Sequence, residues 1–401
     1  MLILHVIDTL NPDRGGPPEA VRQLIAAYAN IGASTEIVCL DDPEASYLKN
    51  FTCPIHAMGQ SYLGRYAFSP RLWHWMDENI ERFDGIVMNG IWSFPGLALN
   101  RMARRRRRPY GVFVHGALDP WFNHKYPLKH LKKMLYWGVQ YIVLRDALAV
   151  FFTTDTESRL AQQSFRPNLW SSVVVPYGIN DPLLQWKDEE AQKEEFFRLH
   201  PRLRDRRYLL FLGRLHEKKG CDLLVDAFAQ VADQDPELDL VMAGPDQADM
   251  QLRIKHLADR MGVMDRVHFT GMIRGAAKWG ALQAAEALAL PSHQENFGIA
   301  VVEALAVGKP VLISNQVNIW PDIKQDHVGL VEEDTSDGTR RLLRRWVEMS
   351  AIERARLTSG ARSCFQRRYA MNRAAVAIND IFSPYEARRS KQENLVVSLH
   401  S

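Results

Sequence analysis

Residues 287–310 read ALALPSHQENFGIAVVEALAVGKP, and this stretch decides the fold that the sequence predicts. The apolar run 287–290 predicts a buried strand, the polar segment 291–298 a loop, and the apolar segment that follows, to about Val307, a helix. A strand, a loop and a helix in this order form the βα unit of parallel sheets. Because the first N–H groups of a helix lack intrahelical partners, the helix start after Gly298 is expected to bind an anion such as a diphosphate.

Two glutamates lie eight positions apart in this stretch, Glu295 in the loop and Glu303 in the helix. Their carboxylates are expected to reach hydroxyl groups of one extended ligand from different depths. The alternative interpretation is a capping loop followed by a helix whose Glu303 is merely solvated. Glu303 has Val302 and Ala304 as neighbours in an otherwise apolar segment, and this favours a functional role for its carboxylate.

The same alternation of short apolar runs with longer amphipathic segments extends through both halves of the chain. Such runs lie at residues 2–7 and 86–89 in the first half, and at 208–212 and 238–243 in the second. Continuous apolar strands separated by helices predict an α/β protein with two doubly wound, Rossmann-like domains. In such domains ligands bind outside the carboxyl ends of the strands, so we expect the site in a crevice there.

The boundary between the two domains is predicted in the turn-rich segment near residues 175–182. We therefore expect an N-terminal domain at 1–178, a C-terminal domain at 179–370, and a final segment at 371–401. The last helical pattern covers about 352–381, and the polar residues from Arg388 onward are expected to fray.

Composition excludes several classes of protein. The 401 residues are 46% hydrophobic and 24% charged, which argues against disorder, and a net charge of +3 argues against a general nucleic-acid binder. The four cysteines form no Cys-x-x-Cys pair, so a zinc ribbon and a thioredoxin motif are excluded. The N-terminus is interpreted as a first strand and not as a signal peptide. No apolar run of 18 residues is present, so the sequence predicts a cytoplasmic protein without a transmembrane helix.

The stretch 291–310 resembles the Glu-x7-Glu signature of the retaining glycosyltransferases of family 4, which have the GT-B fold. Other segments resemble this family in the same order along the chain. They are Asn11–Pro17 with Gly15 and Gly16, Val114-His115-Gly116, Phe211–Gly220 with Arg214 and Lys219, Val241–Pro245 with Gly244, and Val267–Gly271.

The resemblance implies a GT-B fold of two Rossmann-like domains facing a central crevice, with a C-terminal helix that crosses back to the N-terminal domain. It implies a retaining transfer from a nucleotide-sugar, such as a UDP-, GDP- or ADP-sugar. Neither a cofactor nor a metal is expected, and Asp233-Gln-Asp235 is assigned to a turn at the opposite end of the sheet. Front-face substitution and double displacement both stay open as mechanisms.

The resemblance also assigns roles to individual residues. Arg214 and Lys219 are expected to hold the diphosphate, Glu295 to contact the sugar hydroxyls, Glu303 to contact the ribose, and the backbone near Gly271 to contact the base. The expected catalytic residues are His115, Arg214, Lys219 and Glu295. The expected donor-binding residues are Gly15, Gly16, Gly244, Gly271, Arg274, Asn296, Phe297, Gly298, Ile299 and Glu303.

The segment 101–145 is strongly basic, with seven Arg and four Lys against one acidic residue. Its Lys-rich helix carries leucines and aromatic residues, which favours a peripheral contact with an anionic membrane over contact with nucleic acid. The alternative is a solvated helix packed on its own domain. Acceptor-side residues are predicted at Asn89, Trp92, Asp119 and Trp121.

The segment 115–121, with Asp119 and Trp121, resembles a branch of the family that builds bacterial surface polysaccharides on lipid carriers, including exopolysaccharide and lipopolysaccharide glycosyltransferases. This resemblance implies transfer of a sugar to a saccharide or lipid-linked saccharide in surface polysaccharide biosynthesis, in the cytoplasm or on the inner face of the plasma membrane. Two alternatives stay open within enzymes, a nucleotide-sugar epimerase and a phosphorylase. A third is a catalytically silent nucleotide-sugar-binding partner.

Overall fold

The computed structural model describes residues 1–125, 127–247 and 249–399, and they form two compact units. The first unit contains Met1–Asn180 together with the C-terminal residues from Met371 onward. The second unit contains Asp181–Ala370. Each unit has its own parallel β-sheet, so the predicted α/β fold with two doubly wound domains is confirmed.

Within the described residues, the first unit has a seven-stranded sheet with the strand order β3-β2-β1-β4-β5-β6-β7. Its strands are β1 (Leu2–Ile7), β2 (Ser34–Cys39), β3 (Ile55–Ala57), β4 (Gly85–Asn89), β5 (Tyr110–Phe113), β6 (Ala149–Phe152) and β7 (Ser172–Val174). Its helices before the boundary are α1 (Gly16–Asn30), α2 (Pro70–Asn79), α3 (Phe94–Arg106), α4 (Trp121–Lys125), α5 (Pro127–Arg145) and α6 (Asp155–Ala161). Every pairing in this sheet is parallel.

The second unit has a six-stranded parallel sheet in its described part, with the order β10-β9-β8-β11-β12-β13. Its strands are β8 (Arg207–Leu212), β9 (Leu238–Ala243), β10 (Val267–Gly271), β11 (Ala287–Leu290), β12 (Val311–Ser314) and β13 (Gly329–Glu332). Its helices are α7 (Pro182–Gln185), α8 (Glu189–Leu199), α9 (Cys221–Val231), α10 (Met250–Arg260), α11 (Gly275–Ala284), α12 (Ile299–Ala306), α13 (Trp320–Gln325), α14 (Ser336–Glu348) and α15 (Ala351–Cys364).

Both faces of the first sheet are buried, which explains the continuous apolar runs of its strands. Leu4 and Val6 of β1 belong to one hydrophobic cluster, whereas Ile7 packs with Val21 and Ile25 of α1 in a second cluster. Helices on both faces leave the carboxyl ends of the strands as the edge where loops carry polar residues.

The C-terminal helix α16 (Met371–Leu399) belongs to the first unit. The backbone N–H of Met371 donates to the carbonyl of Ile179 over 3.0 Å. Phe382 packs over Gly85 of β4, where a Cβ would lie 2.5 Å from the ring. The helix therefore returns to the first sheet, and glycine at position 85 makes room for its aromatic side chain.

Three features differ from the sequence-based expectation. The predicted helix at 352–381 is two helices, since a π-helical turn at Phe365–Tyr369 and the extended residue Ala370 separate α15 from α16. The backbone of α16 continues helically to Leu399, beyond the expected end of regular structure at Arg388. Strand β3 was not predicted, because its three residues are only half-buried. No helix of the described chain is both long and apolar enough to cross a membrane.

Candidate active site

Three neighbouring strands of the second sheet, β8, β9 and β10, lead into or end with a glycine. The N–H of Gly213 donates to Ala243 O over 2.9 Å, and the N–H of Gly244 donates to Gly271 O over 2.8 Å. Gly244 has a φ of +146°, and a Cβ there would lie 1.8 Å from the carbonyl oxygen of Gly213. The carboxyl edge of this sheet is consequently bare backbone, which lets a flat ligand group approach closely.

The loops that follow β8 and β11 are bound to each other at this edge. Gly220 has a φ of +65°, and a Cβ there would lie 2.1 Å from the carbonyl oxygen of Pro291. The N–H of His293 donates to Lys218 O over 2.9 Å. This approach pairs the ammonium of Lys219 with the carboxylate of Glu295, so two predicted catalytic residues are in direct contact.

The environment of Lys219 is electropositive and shielded from water. Its side chain is only 14% exposed, and that of Glu295 is 17% exposed. Burial, together with the charges of Lys218 and Arg214, lowers the pKa of Lys219 to about 7. Arg214 itself is exposed and forms no ion pair with the described residues. A guanidinium and an ammonium at one strand edge are suited to a ligand with two adjacent phosphates.

Gly298 begins α12 with a φ of +84°. Val301 and Val302 both donate to Gly298 O, so the N–H groups of Ile299 and Ala300 stay without an intrahelical acceptor. The loop before the helix is anchored by Phe297, whose ring packs edge-on against Tyr369 at 5.9 Å. Phe297, predicted to bind the donor, therefore has its side chain in the core, and the half-buried Asn296 precedes it.

Glu303 points toward α11 and not into open solvent. Its Oε1 atom lies 2.6 Å from Nζ of Lys278, whose ammonium also lies 4.3 Å from the ring centre of Trp279. Lys278 was not singled out in the sequence, where a lysine inside an amphipathic helix carries no signal. Arg274, at the start of the same helix, is exposed, and its Nε lies 3.0 Å from Sδ of Met272.

The remaining predicted catalytic residue, His115, lies in the first unit just beyond β5. Its φ is +47°, and its ring stacks on Phe113 with centres 5.3 Å apart. Burial lowers the pKa of His115 to about 4, so the imidazole is neutral at physiological pH. Nε2 is buried and has no hydrogen-bond partner within the described part of the chain. A neutral ring with one unused nitrogen fits contact with a ligand hydroxyl better than proton abstraction.

Glu157 fixes the turn at His115, and sequence reasoning did not identify it. Its carboxylate accepts from the N–H of Gly116 over 2.7 Å and from the N–H and hydroxyl of Thr153. A glutamate inside the first turn of α6 gives no sign in the sequence of this long-range contact.

Gly15 and Gly16 form the turn before α1, as the glycine-rich segment predicts. Gly15 has a φ of +93° and is the N-cap of the helix. In the first turn of the helix, Glu19 accepts from Arg22 and Gln23, so its charge is already neutralised.

The two predicted acceptor pairs differ in their relation to the cavity of the first sheet. Asn89 and Trp92 line a cavity of about 800 Å³ at the carboxyl edge of the first sheet. Asp119 and Trp121 are absent from its wall, and Asp119 accepts instead from the N–H of Trp121 over 2.9 Å. This hydrogen bond closes a local turn, so the sequence pattern Asp-Pro-Trp is explained by turn formation without a role in ligand binding.

The other polar residues of this cavity were missed by the sequence analysis. They are Asp8 and Thr9 after β1, Asp41 after β2, Ser61, Ser93, and the cations Arg14, Arg65 and Lys133. Asp8 directly follows an apolar strand, and this position at a strand end is the one signal that could have identified it.

Residues 1–125, 127–247 and 249–399 contain no cluster of three or more His, Cys, Asp or Glu side chains arranged to hold a metal ion. Asp235 lies in the turn before β9, and its carboxylate is 3.1 Å from Arg207. It therefore lies at the amino end of the strands, away from the glycine edge.

Comparison with known proteins identifies both halves of the chain. Residues 192–363 match the family Glycosyl transferases group 1, and residues 15–178 match the family Glycosyl transferase 4-like domain. The chain belongs to the family-4-like glycosyltransferases of the GT-B fold.

Two solved GT-B structures and one curated relative illustrate the similarity. Anabaena Alr3699/HepE in complex with UDP and glucose has a TM-score of 0.74 at 18% identity, covering 97% of this chain and 100% of that one. WaaG, a glycosyltransferase involved in lipopolysaccharide biosynthesis, has a TM-score of 0.68 at 17% identity, covering 95% and 99%. A D-inositol 3-phosphate glycosyltransferase of Streptomyces bingchenggensis is 29% identical over 219 residues, covering 52% of this chain and 47% of the relative. The chain spans about half the length of the curated relatives it matches.

Proposed function

We propose that the protein transfers a sugar from a nucleotide-sugar to a saccharide or lipid-linked saccharide acceptor, with retention of configuration and without a metal ion. The observation that carries this proposal is the contact between Lys219 and Glu295 beside the bare glycine edge of the second sheet. A diphosphate would bind to Lys219, Arg214 and the start of α12, where positive charge and unused N–H groups meet. Release of Glu295 from its ammonium partner would then let the carboxylate accept from sugar hydroxyls.

The catalytic task of these residues is to stabilise charge on the leaving diphosphate. Negative charge builds on the leaving oxygen as the glycosidic bond to phosphate breaks, and fixed cations lower the free energy of that state. His115, neutral at physiological pH, would contact a sugar hydroxyl through its unused Nε2. Solved structures with a similar fold include a protein in complex with UDP and glucose and a glycosyltransferase involved in lipopolysaccharide biosynthesis, which supports the same substrate class here.

A ligand screen followed by a product assay tests the proposal. Thermal shift with UDP, GDP, ADP and their sugar conjugates, in the presence of EDTA, should stabilise the protein with one nucleotide only. Incubation of that nucleotide-sugar and an added saccharide acceptor with the protein should release the nucleoside diphosphate as the sugar passes to an acceptor hydroxyl, and proton NMR of the glycoside formed should show the anomeric configuration of the donor. Stabilisation without any turnover would instead support a silent binding partner, and an altered sugar in the recovered donor would support an epimerase.

We further propose that helix α5 docks on the anionic inner face of a membrane. The run Arg104–Arg106 does not supply the free charge, because Asp77, Glu81 and Asp146 form ion pairs with it. Helix α5 instead exposes apolar side chains among its lysines. These are Leu128, Leu131, Met134 and Leu135, with Leu135 86% exposed. Apolar residues flanked by lysines fit the interface of an anionic bilayer.

Vesicle cosedimentation tests this contact. Leu131→Glu/Leu135→Glu should abolish binding to vesicles that contain phosphatidylglycerol. Leu252→Glu, on exposed α10 of the second unit, is the matched control and should bind like the wild type. Equal binding of the wild type to neutral phosphatidylcholine vesicles, or of the double variant to anionic vesicles, would contradict the proposal.

A further inference from the structure

The cavity of the first unit is built from three strand ends. Its wall includes Asp8 after β1, Asp41 after β2, and Trp92 after β4. Trp92 has a φ of +77°, an uncommon conformation for a bulky residue, and its N–H donates to Oε1 of Gln140 over 2.8 Å. This cavity of about 800 Å³ is large enough for a monosaccharide with a substituent.

The carboxylates of Asp41 and Asp8 differ in how many hydrogen bonds they already accept within the protein. Asp41 is buried and accepts from the backbone N–H of Leu10 over 2.7 Å, from Tyr47 over 2.8 Å and from the Thr9 hydroxyl. Asp8 accepts from the hydroxyl of Ser93 over 2.8 Å, its only side-chain hydrogen bond within the described residues. Burial, together with the nearby charge of Asp41, raises the pKa of Asp8 to about 6 against the opposing effect of the Ser93 hydrogen bond. One oxygen of Asp8 is thus available to accept from a ligand hydroxyl.

Three cations from separate segments line the same cavity. They are Arg14 in the turn after β1, Arg65 in the loop before α2, and Lys133 on α5. Lys133 lies 4.9 Å from the ring centre of Trp92. Within the described ranges of the chain, no carboxylate lies within ion-pair distance of Arg14, Arg65 or Lys133. The cavity wall thus carries three cations against the two carboxylates of Asp8 and Asp41, and none of the cations is held by a carboxylate, so each can turn to an anionic ligand group.

We propose that this cavity binds the acceptor through a phosphoryl group, held by Arg14, Arg65 and Lys133, while Asp8 accepts from a hydroxyl of the same acceptor. A phosphoryl group fits better than a carboxylate, because it presents three oxygens and up to two charges to three cations. The inference rests on the proposed transferase function and specifies its acceptor. The phosphoryl group has two sources, a free sugar phosphate or the diphosphate that links a saccharide to an isoprenoid carrier.

Calorimetric titration of the full chain, saturated with the nucleoside diphosphate found in the screen, tests the inference. The saturating nucleoside diphosphate fills the proposed donor site of the second unit, so the heat measured on adding a phosphate compound comes from binding to the first unit. The probes are glucose 6-phosphate, geranyl diphosphate, inorganic phosphate and uncharged glucose. We expect at least one organic phosphate to bind, and Arg14→Ala/Arg65→Ala to weaken it by about tenfold or more, the usual effect of losing charge-assisted hydrogen bonds. Arg101→Ala, which removes an exposed cation of α3 outside the cavity, is the control and should leave the affinity unchanged.

The outcomes distinguish the two sources of the phosphoryl group, and they distinguish failure of this inference from failure of the transferase proposal. Binding of glucose 6-phosphate supports a sugar phosphate, and binding of geranyl diphosphate alone supports a carrier-linked acceptor. Asp8→Asn removes a negative charge from the cavity, so it should not weaken the binding of inorganic phosphate, and it should remove any preference for glucose 6-phosphate over it. Equal affinities of glucose and its phosphate, or unchanged binding by the double variant, would overturn the inference while nucleotide binding stands. Failure of every nucleoside diphosphate to bind would overturn the transferase proposal itself.

Discussion

The ammonium of Lys219 and the carboxylate of Glu295, 76 positions apart in sequence, form an ion pair at the carboxyl edge of the second sheet. Neither side chain is well exposed, so each compensates the other for lost hydration. A bound diphosphate would offer Lys219 a second anion and would release Glu295 for hydrogen bonds with sugar. The pair therefore links recognition of phosphate to recognition of sugar.

Removing Lys219 should weaken nucleotide binding. Lys219→Ala deletes one phosphate contact, and we expect the Kd of the nucleoside diphosphate to rise by about tenfold to a hundredfold, the range for a charge-assisted hydrogen bond. Calorimetry measures this change, with Arg202→Ala, which removes an exposed cation of the same unit, as the control. The double variant Lys219→Ala/Glu295→Gln should be less impaired than the two single effects combined, because the singles leave a buried charge unpaired. Strict additivity would argue against coupling between the two side chains.

Nucleotide affinity should fall as the pH rises above 7. The pKa of Lys219 is lowered to about 7, so the free protein loses this cation progressively above that pH. A bound diphosphate favours the charged form, so binding at pH 8 is accompanied by proton uptake. Calorimetry in buffers of different ionisation enthalpy, between pH 7 and 9, measures that uptake. Lys219→Arg keeps its charge throughout this range, so its affinity should be nearly independent of pH. An equally steep decline in this variant would assign the effect to another group.

Glu303 should contribute to binding of the nucleoside but not of the diphosphate alone. If its carboxylate binds the ribose hydroxyls, Glu303→Gln should raise the Kd of the nucleoside diphosphate by about tenfold and leave that of pyrophosphate unchanged. Lys278→Met should have a smaller effect in the same direction, because Lys278 holds the carboxylate in place at 2.6 Å. Lys324→Met, on exposed α13, serves as the control. If Glu303→Gln raises the Kd of pyrophosphate as much as that of the nucleoside diphosphate, Glu303 does not bind the ribose.

The sequence predicts the strand ends well and the partners of the functional side chains poorly. The sequence predicts the position of the glycines that follow strands, because a continuous apolar run precedes each one and glycine there permits a turn or a close approach. These glycines are Gly213, Gly244 and Gly298. The pairing of Glu303 with Lys278 could not be predicted from the sequence, because it depends on the packing of α11 against α12 and leaves no periodic pattern. Arg65 was missed for a related reason, since the loop that carries it has no repeating composition. Contacts between distant loops are set by tertiary packing and not by local propensity.

Arg214 should matter more for turnover than for nucleotide affinity. It is exposed and without an ion pair among the described side chains, so its removal does not leave a buried charge behind. Arg214→Ala should lower kcat by roughly two orders of magnitude, the usual effect of deleting one group that stabilises charge in the transition state. Arg202→Ala removes a surface arginine of the same unit as a control. Wild-type turnover by the Arg214 variant in a nucleotide-release assay would refute this role.

His5 should make the first unit sensitive to acid. His5 lies on β1 and has no exposed surface. The distance between its Nδ1 atom and Nδ2 of Asn89 is 3.2 Å. Burial lowers the pKa of His5 to about 3. In the unfolded chain a histidine has a pKa near 6.5. Above that pH both states are neutral and folding is unaffected.

Below pH 6.5 the unfolded chain binds a proton that the folded protein does not, so stability is lost as the pH falls toward 3. At pH 5 the loss is about 2 kcal/mol for this one residue. Urea denaturation of wild type and His5→Leu at pH 7 and pH 5 measures it, comparing the change between pH values and not the absolute stability. The variant should lose about 2 kcal/mol less than the wild type on acidification, by the same linkage. His74→Leu, an exposed position on α2, should retain the full wild-type dependence. If His5→Leu also keeps it, the acid sensitivity comes from other groups, among which the buried His115 is the next to test.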